Sequence, residues 1–243
     1  MIYDFITDKI RRKEKILALL IDPDKCSGEK LDGFIAQVRR NPPQLILVGG
    51  SLISNPVEPV VAALKDGLNM PVVLYPGNPN HLTPNVDAVL FLSMISGRNP
   101  DLLIGSHIIA APYIRKHGIE PIPTGYMLID GGCPTSVEYI SQTRPIPANK
   151  TDIAAATAMA GEMLGLKMIY MDAGSGAVNP VSPAMLKAVR ASVAIPLMAG
   201  GGITSAEKLK LAFTNGADLV VVGNVLEKSP ELLNSFLNIT ASV

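Results

Sequence analysis

Short runs of apolar and β-branched residues recur along the chain, and longer stretches with mixed polarity separate them. This alternation is typical of βαβ units, because the strands of a parallel sheet are buried on both faces. Nearly every run ends in Gly, Asp, Ser or Asn, which form tight loops. Eight strands with such endings predict an α/β fold, a (β/α)8 TIM barrel. The predicted strands are Ile16–Ile21, Leu45–Val48, Val72–Leu74, Ala88–Leu92, Gly125–Ile129, Lys167–Met171, Ile195–Ala199 and Leu219–Val222.

The stretches between the runs predict the helices of the barrel. The third connection is an exception, because residues 76–86 contain three prolines and cannot form a full helix. We therefore expect an irregular third crossover. The helices are predicted at Glu29–Arg40, Val57–Leu68, Leu102–Lys116, Asp152–Leu164, Pro183–Ala191, Ser205–Asn215 and Glu231–Asn238.

Residues 102–114 are uncharged and apolar on more than one helical face. They indicate either ordinary core packing or the lining of an apolar site. Pro112 is expected to bend or end this helix.

Length and charge narrow the class of protein. A chain of 243 residues suits one barrel domain over residues 1–243, and 17% charged residues indicate a large buried fraction. The 21 basic residues equal the 21 acidic ones, so nucleic acid is not an expected partner. The stretch from Arg11 to Lys15 is interrupted by Glu14 and is typical of a solvated surface. We find neither a secretory signal nor an apolar run long enough for a transmembrane segment, and we expect a cytoplasmic protein.

Three glycine-rich segments follow the last three predicted strands and carry the strongest chemical signal. They are Tyr170–Ala177 (YMDAGSGA), Gly200–Gly202, and Gly223 with Asn224. Backbone N–H groups of such loops can surround a phosphate, and barrels often bind phosphate after strands seven and eight. Each loop alone could be a simple turn. Three on adjacent strands favour a phosphate site.

A second polar cluster follows the first two strands and consists of Asp22, Asp24, Lys25 and Ser51. Carboxylate and hydroxyl oxygens are ligands that Mg²⁺ prefers, although an Asp–Pro turn would explain the same residues. Between the two clusters, Asp172 is either a general base or a turn cap. We expect Tyr126 and Tyr170 beside it. The three histidines form no catalytic constellation in the sequence.

Several motifs together resemble the geranylgeranylglyceryl phosphate synthases, in particular the longer group of that family. The resemblance runs from about Ile16 to Glu227 and is carried by IDPDK, LVGGSLIS, YPGNPNHLTPNVDAVLFLSMISGRNP, PTGYMLIDGG, YMDAGSGA, AGGGI and VVGNVLE. It implies a modified TIM barrel and a prenyltransferase of phospholipid biosynthesis. The enzyme would join a polyprenyl diphosphate, expected to be geranylgeranyl diphosphate, to the free primary hydroxyl of sn-glycerol 1-phosphate. It would use Mg²⁺ and form a homo-oligomer.

The same resemblance implies roles for particular residues. Asp22 and Ser51 would hold Mg²⁺, and Asp172 and Tyr170 would be catalytic. Residues implied in glycerol phosphate binding are Tyr170, Met171, Asp172, Ala173, Gly174, Ser175, Gly176, Gly201, Gly202, Gly223 and Asn224.

One residue departs from the family pattern. Archaeal members commonly have Glu at the position of Asp172, and the shorter side chain leaves open whether this carboxylate is the base or orients the substrate. Two other functions remain open. One is another phosphate-binding barrel enzyme, a phosphosugar isomerase or a thiamine-phosphate-type transferase, and the other is a non-catalytic prenyl-lipid carrier.

Overall fold

The computed structural model describes residues 1–243 except the side chains of residues 227 and 228. Its parallel strands β1 to β8 pair in chain order, and β8 pairs with β1 to close the barrel. The predicted (β/α)8 architecture is thus confirmed. The strands are β1 Ile16–Ile21, β2 Leu45–Gly49, β3 Val72–Tyr75, β4 Ala88–Met94, β5 Glu120–Leu128, β6 Met168–Asp172, β7 Leu197–Gly200 and β8 Leu219–Val222.

Helices surround the barrel, and each of the predicted ones is present: Glu29–Arg40 has the predicted ends, and the others are shifted by a few residues at one or both ends. Three helices were not predicted: α1, α5 and α9. The full set is α1 Ile2–Arg11, α2 Glu29–Arg40, α3 Val57–Gly67, α4 Ser106–His117, α5 Ser136–Ser141, α6 Thr151–Met163, α7 Pro183–Arg190, α8 Ala206–Thr214, α9 Asn224–Lys228 and α10 Leu232–Ser242.

The third crossover is irregular, as the prolines predicted. A single 3-10 turn, Pro79–His81, lies between β3 and β4. His81 stabilises this loop, since its Nδ1 accepts the Gly77 N–H at 3.1 Å and its Nε2 lies 3.0 Å from Asn78 Nδ2. Because no α-helix connects β3 and β4, part of the barrel wall at these strands is left for other groups to contact.

The start of one strand differs from its predicted position. Strand β5 begins at Glu120 rather than Gly125, although it contains Pro121 and Pro123. Pro123 O accepts from Lys167 N, and β6 begins only opposite Thr124, so the missing proline donors face no strand on that side.

Pro112 does not end its helix. Helix α4 begins directly after a π-helical segment, Asp101–Gly105, and continues past Pro112 to His117. The carbonyl that Pro112 leaves unbonded belongs to Ile108, and both residues are exposed, so water can bind it.

The core has two layers. One fills the barrel interior with inward side chains such as Leu47, Val73 and Leu90, and the other packs the outer face of the strands against the helices. Helix α1 closes the amino-terminal end of the barrel, where Ile6 is fully buried with the interior cluster. Over the part of the chain that the structure describes, no helix has the length and apolar character to cross a membrane.

Candidate active site

The centre of the site is a buried carboxylate surrounded by tyrosines. Asp172 ends β6 and its Oδ2 accepts a hydrogen bond from the Tyr126 hydroxyl at 2.7 Å and a longer one from the Tyr75 hydroxyl at 3.4 Å. Its Oδ1 accepts the Gly174 N–H at 2.8 Å. The Tyr170 ring packs edge-on against both other rings, with centroids 5.8 Å from Tyr75 and 5.3 Å from Tyr126. The expected proximity of Tyr126 and Tyr170 is confirmed, and Tyr75 is an additional member.

Burial determines the protonation chemistry of this group. It raises the pKa of the Asp172 carboxyl, and the hydrogen bonds from Tyr126, Gly174 and Tyr75 only partly counteract it. Burial, followed by the nearby Asp172 charge, raises the pKa of Tyr75, Tyr126 and Tyr170 well above the ordinary value. Of these four groups, the carboxyl therefore remains the one whose charged form is the most accessible and the one suited to accept a proton.

Strand alternation determines which residues of β6 can face a substrate. Tyr170 and Asp172 point into the barrel, whereas Met171 and Ala173 pack in the outer, helix-facing layer. The side chains of Met171 and Ala173 thus lie away from the barrel mouth, and their backbone is the part that reaches it. The Tyr170 hydroxyl lies close to Gly200, where an added Cβ would be 2.4 Å from it.

The glycine-rich loops after β6 and β7 pack on each other. Gly174 and Gly201 have φ of +87° and +77°, and a Cβ on Gly201 would lie 2.6 Å from Gly174 N. Only glycine combines this backbone conformation with such a close approach. Gly176 and Gly202 also have positive φ, of +84° and +68°. The two loops form one continuous surface of backbone at the barrel mouth.

A chain of polar contacts joins the two clusters that the sequence singled out. Lys25 Nζ lies 2.6 Å from Asp22 Oδ2 and donates to Asn224 Oδ1 at 3.5 Å. Asn224 Nδ2 in turn donates to Ser175 Oγ at 2.7 Å. The loops after β1, β8 and β6 are thereby connected across the mouth, with one ammonium group between the candidate metal site and the candidate phosphate site. Gly223 directly precedes Asn224 at the end of β8.

The Asp22 carboxylate lies beside the loop that follows β2 and contains Gly50 and Ser51. A Cβ on Gly50 would lie 3.9 Å from the Asp22 carboxylate, and Ser51 follows directly. Asp24 has another role, since its carboxylate accepts the N–H groups of Ser54 and Asn55, which lowers its pKa. It ties two loops together. Among the described residues, no group of three or more His, Cys, Asp or Glu side chains is arranged to hold a metal ion.

An apolar groove leads away from this mouth along the open wall of the barrel. It encloses about 910 Å³, open solvent at its entrance included. Ser51, Tyr75 and Tyr126 belong to its lining, and most of the other lining side chains are apolar, with Leu90, Leu92, Phe91, Leu102, Ala110 and Ile114 among them. The uncharged segment 102–114 therefore both packs and lines an apolar site. The irregular third crossover makes room for this groove.

Sequence reasoning missed Tyr75, and although it gave an apolar site as one alternative for residues 102–114, it did not place a groove beside the third crossover. The available signals were the YPGN end of β3 and the missing third helix. The histidines form no catalytic constellation in the described structure: His81 supports a loop, and His107 lies 3.2 Å from Ser93 Oγ and edge-on against Phe91.

Comparison with known proteins agrees with this geometry. The model of the PcrB family matches residues 8–240. This chain belongs to that family. It is 50% identical over 220 residues to the geranylgeranylglyceryl phosphate synthase of Spirosoma linguale, covering 90% of this chain and 88% of the relative. To the enzyme of the same name from Thermococcus kodakarensis it is 37% identical, covering 93% of this chain and 89% of the relative.

A solved structure has the same fold over the whole chain. The (S)-3-O-geranylgeranylglyceryl phosphate synthase of Thermoplasma acidophilum, in complex with its substrate sn-glycerol-1-phosphate, superposes with a TM-score of 0.92 at 26% identity. The superposition covers 100% of this chain and 99% of the other. This confirms the family resemblance found in the sequence motifs.

Proposed function

We propose that this PcrB family member is a prenyltransferase that joins a geranylgeranyl group to the free primary hydroxyl of sn-glycerol 1-phosphate and releases diphosphate. The observation that carries the proposal is one junction: the apolar groove ends at Tyr75 and Tyr126, directly in front of Asp172 and the glycine-rich loops. A long apolar donor and a small anionic acceptor would meet there. The names of the relatives support the same reaction.

The loops after β6, β7 and β8 would hold the acceptor. The backbone N–H groups of Gly176 and Gly201 can donate to phosphate oxygens, whereas that of Gly174 is bonded to Asp172, and the Asn224–Ser175 pair supplies side-chain donors. The acceptor hydroxyl would then lie near the hydrogen-bonded pair of Tyr126 and Asp172, and its proton passes to this pair while the oxygen attacks carbon 1 of the donor. The new C–O bond forms as the bond from carbon 1 to the diphosphate oxygen breaks. The apolar walls exclude water, which would otherwise hydrolyse the allylic donor.

Asp22 and Ser51 would hold a magnesium ion together with oxygens of the substrate. Mg²⁺ commonly uses one or two protein oxygens and completes its shell with water and substrate phosphates, so the small donor set is sufficient. When bound, the ion neutralises charge on the departing diphosphate. The Lys25 ammonium, now paired with Asp22, can turn to the same diphosphate or to Asn224.

The metal assignment predicts a specific loss. Asp22→Asn should lower metal-dependent turnover by about a hundredfold or more, because the remaining hydroxyl and amide bind Mg²⁺ weakly. The measurement is the rate against Mg²⁺ concentration. Asp24→Asn is the matched control, since Asp24 ties loops rather than facing the same space. Equal Mg²⁺ dependence in the Asp22→Asn variant and the wild type would exclude Asp22 as a ligand.

The deciding experiment is prenyl transfer with geranylgeranyl diphosphate, Mg²⁺ and either sn-glycerol 1-phosphate or its 3-phosphate enantiomer. An organic-soluble ether product from the 1-phosphate, abolished by EDTA, is the expected result. Failure with donors from 15 to 35 carbons, together with retained glycerol phosphate binding, would instead favour another phosphate-binding barrel enzyme. Loss of both properties would favour the non-catalytic carrier.

We also expect a homo-oligomer. Several large apolar side chains of the described surface are exposed, among them Ile104, Ile108 and Ile109, each more than half accessible. Light scattering should give a mass that is a multiple of 25.7 kDa. The cytoplasmic location stays a prediction from the sequence.

A further inference from the structure

Both oxygens of the Asp172 carboxylate already accept hydrogen bonds. Its Oδ1 is bonded to the Gly174 N–H, and its Oδ2 is bonded to the hydroxyls of Tyr126 and Tyr75. The side chain is 6% exposed. The described lining of the groove includes both tyrosines but not Asp172. A hydroxyl that approaches from the groove junction therefore reaches a tyrosine oxygen before it reaches the carboxylate.

We propose that Tyr126 is the residue that takes the proton from the acceptor hydroxyl, and that it passes its own proton to Asp172. The proposal rests on the prenyl-transfer function above and assigns a catalytic role to the tyrosine. It makes Asp172 the final proton store rather than the group that touches the acceptor.

The step balances without any additional reactant. The acceptor O–H proton moves to the Tyr126 oxygen while the Tyr126 proton moves to Asp172 Oδ2. At the same time the acceptor oxygen forms its bond to carbon 1, and the electron pair of the breaking C–O bond leaves with diphosphate. Tyr126 ends neutral and Asp172 ends protonated. Asp172 later releases this proton to solvent through the same hydroxyl.

Distance distinguishes the two candidate tyrosines. The Tyr126 oxygen lies 2.7 Å from Asp172 Oδ2, which is normal for a strong O–H···O⁻ bond, whereas the Tyr75 oxygen lies at 3.4 Å. Tyr75 contacts the same oxygen too weakly to transfer a proton efficiently, and we assign it to positioning. Tyr170 packs on both rings and holds them in place.

The test compares Tyr126→Phe, Asp172→Asn and the double variant, each of which keeps the shape of its side chain. A relay predicts that each single change lowers kcat by about a hundredfold or more, the usual contribution of a general base, with KM for both substrates nearly unchanged. The double variant should be no slower than the slower single variant, because both residues act in one step. Tyr75→Phe should have a smaller effect.

Tyr3→Phe is the matched control. It also removes a hydrogen-bonded tyrosine hydroxyl, which donates to Lys167 O at 3.1 Å, but at the opposite end of the barrel. Its kcat and KM should equal those of the wild type.

The pH profile separates a relay from a structural role. The titratable groups that face Asp172 are Tyr75, Tyr126 and Tyr170, all neutral in the acid range, so the acid limb of the kcat profile belongs to Asp172. That limb should be present in the wild type and in Tyr3→Phe, and absent from both Tyr126→Phe and Asp172→Asn.

Two results would overturn the proposal in distinguishable ways. A wild-type protein that forms no product contradicts the function and the relay together. An active wild type whose Tyr126→Phe variant keeps its kcat and its acid limb, while Asp172→Asn loses both, contradicts the relay alone and shows that Asp172 contacts the acceptor directly. Multiplicative losses in the double variant would also contradict it.

Discussion

At the scale of single residues, Asp172 is placed for chemistry at the expense of stability. Its carboxylate is buried among tyrosine rings, and burial raises its pKa more than its hydrogen bonds lower it. A carboxyl whose pKa is higher in the folded than in the unfolded chain favours folding when it is protonated. The contribution is fully present below the unfolded pKa of about 3.9 and is lost as the pH rises through the folded pKa.

Asp172→Asn should therefore stabilise the protein at pH 7 while it abolishes most turnover. The amide fits the same space, because Oδ1 can still accept from Gly174 and Nδ2 can donate to the Tyr126 oxygen. The advantage of the variant in Tm should decrease as the pH is lowered and should vanish below about pH 3.9. Thermal unfolding of both proteins from pH 3 to pH 8 measures it. If Asp172→Asn were less stable than the wild type at pH 7, the hydrogen bonds of the Asp172 carboxylate would stabilise the fold more than its burial destabilises it.

The residues that the sequence could identify are those whose type alone suggests chemistry. Asp172, Lys25 and the loop glycines became candidates because barrels place their chemistry directly after the strands, although a simple turn would explain each of them alone. Tyr75 was missed because a tyrosine at the end of an apolar strand looks like core. Its role depends on the inward direction of three side chains on different strands, which only the closed barrel determines.

At the scale of elements, helix α1 shows what local patterns cannot reveal. The solvated surface predicted at Arg11–Lys15 is confirmed, since residues 11–14 are exposed, but no sequence pattern indicated the helix before it, whose apolar side closes the barrel. The carboxylate of Glu120, at the start of β5, accepts the N–H groups of Ile2 and Tyr3 at 2.5 and 2.9 Å and so caps the helix from a distant part of the chain. A cap that lies more than a hundred residues away in sequence has no local signature.

Because Ile6 is fully buried at the closed end, Ile6→Ala should lower the free energy of unfolding by about 2–5 kcal/mol. KM for glycerol phosphate should not change, since the site lies at the other end of the barrel. Urea unfolding and steady-state kinetics measure the two effects. Asp8→Ala on the exposed side of α1 is the control and should change stability by no more than about 0.5 kcal/mol. Equal effects of the two changes would mean that α1 does not close the barrel.

At the scale of the whole molecule, strand order and the irregular crossover were predictable, and the groove was not. Apolar runs and loop residues specify eight parallel strands, because that pattern is local and repeats along the chain. The groove arises where an absent helix, the β4 strand and α4 meet, so no single segment encodes it. The same apolar residues of α4 would look alike in sequence whether they faced another helix or an empty space.

The groove predicts that the size of the side chain at position 110 limits the length of the prenyl chain that the donor can carry. Ala110 lies on α4, is nearly buried and lines the groove, so Ala110→Phe places a ring where the prenyl chain would extend. The rate with a 20-carbon donor should decrease at least about tenfold more than the rate with a shorter donor, because only the longer chain needs that volume. The measurement is kcat/KM for donors of 10, 15 and 20 carbons.

The adjacent Ala111→Phe provides the matched control, since Ala111 is exposed on the same helix and should leave the preference for donor length unchanged. An equal loss with every donor in Ala110→Phe would indicate damage to the fold. An unchanged preference would mean that the prenyl chain does not run along α4. A selective loss of activity with the longest donor would explain why the third helix is missing, because the space left there accommodates the prenyl chain.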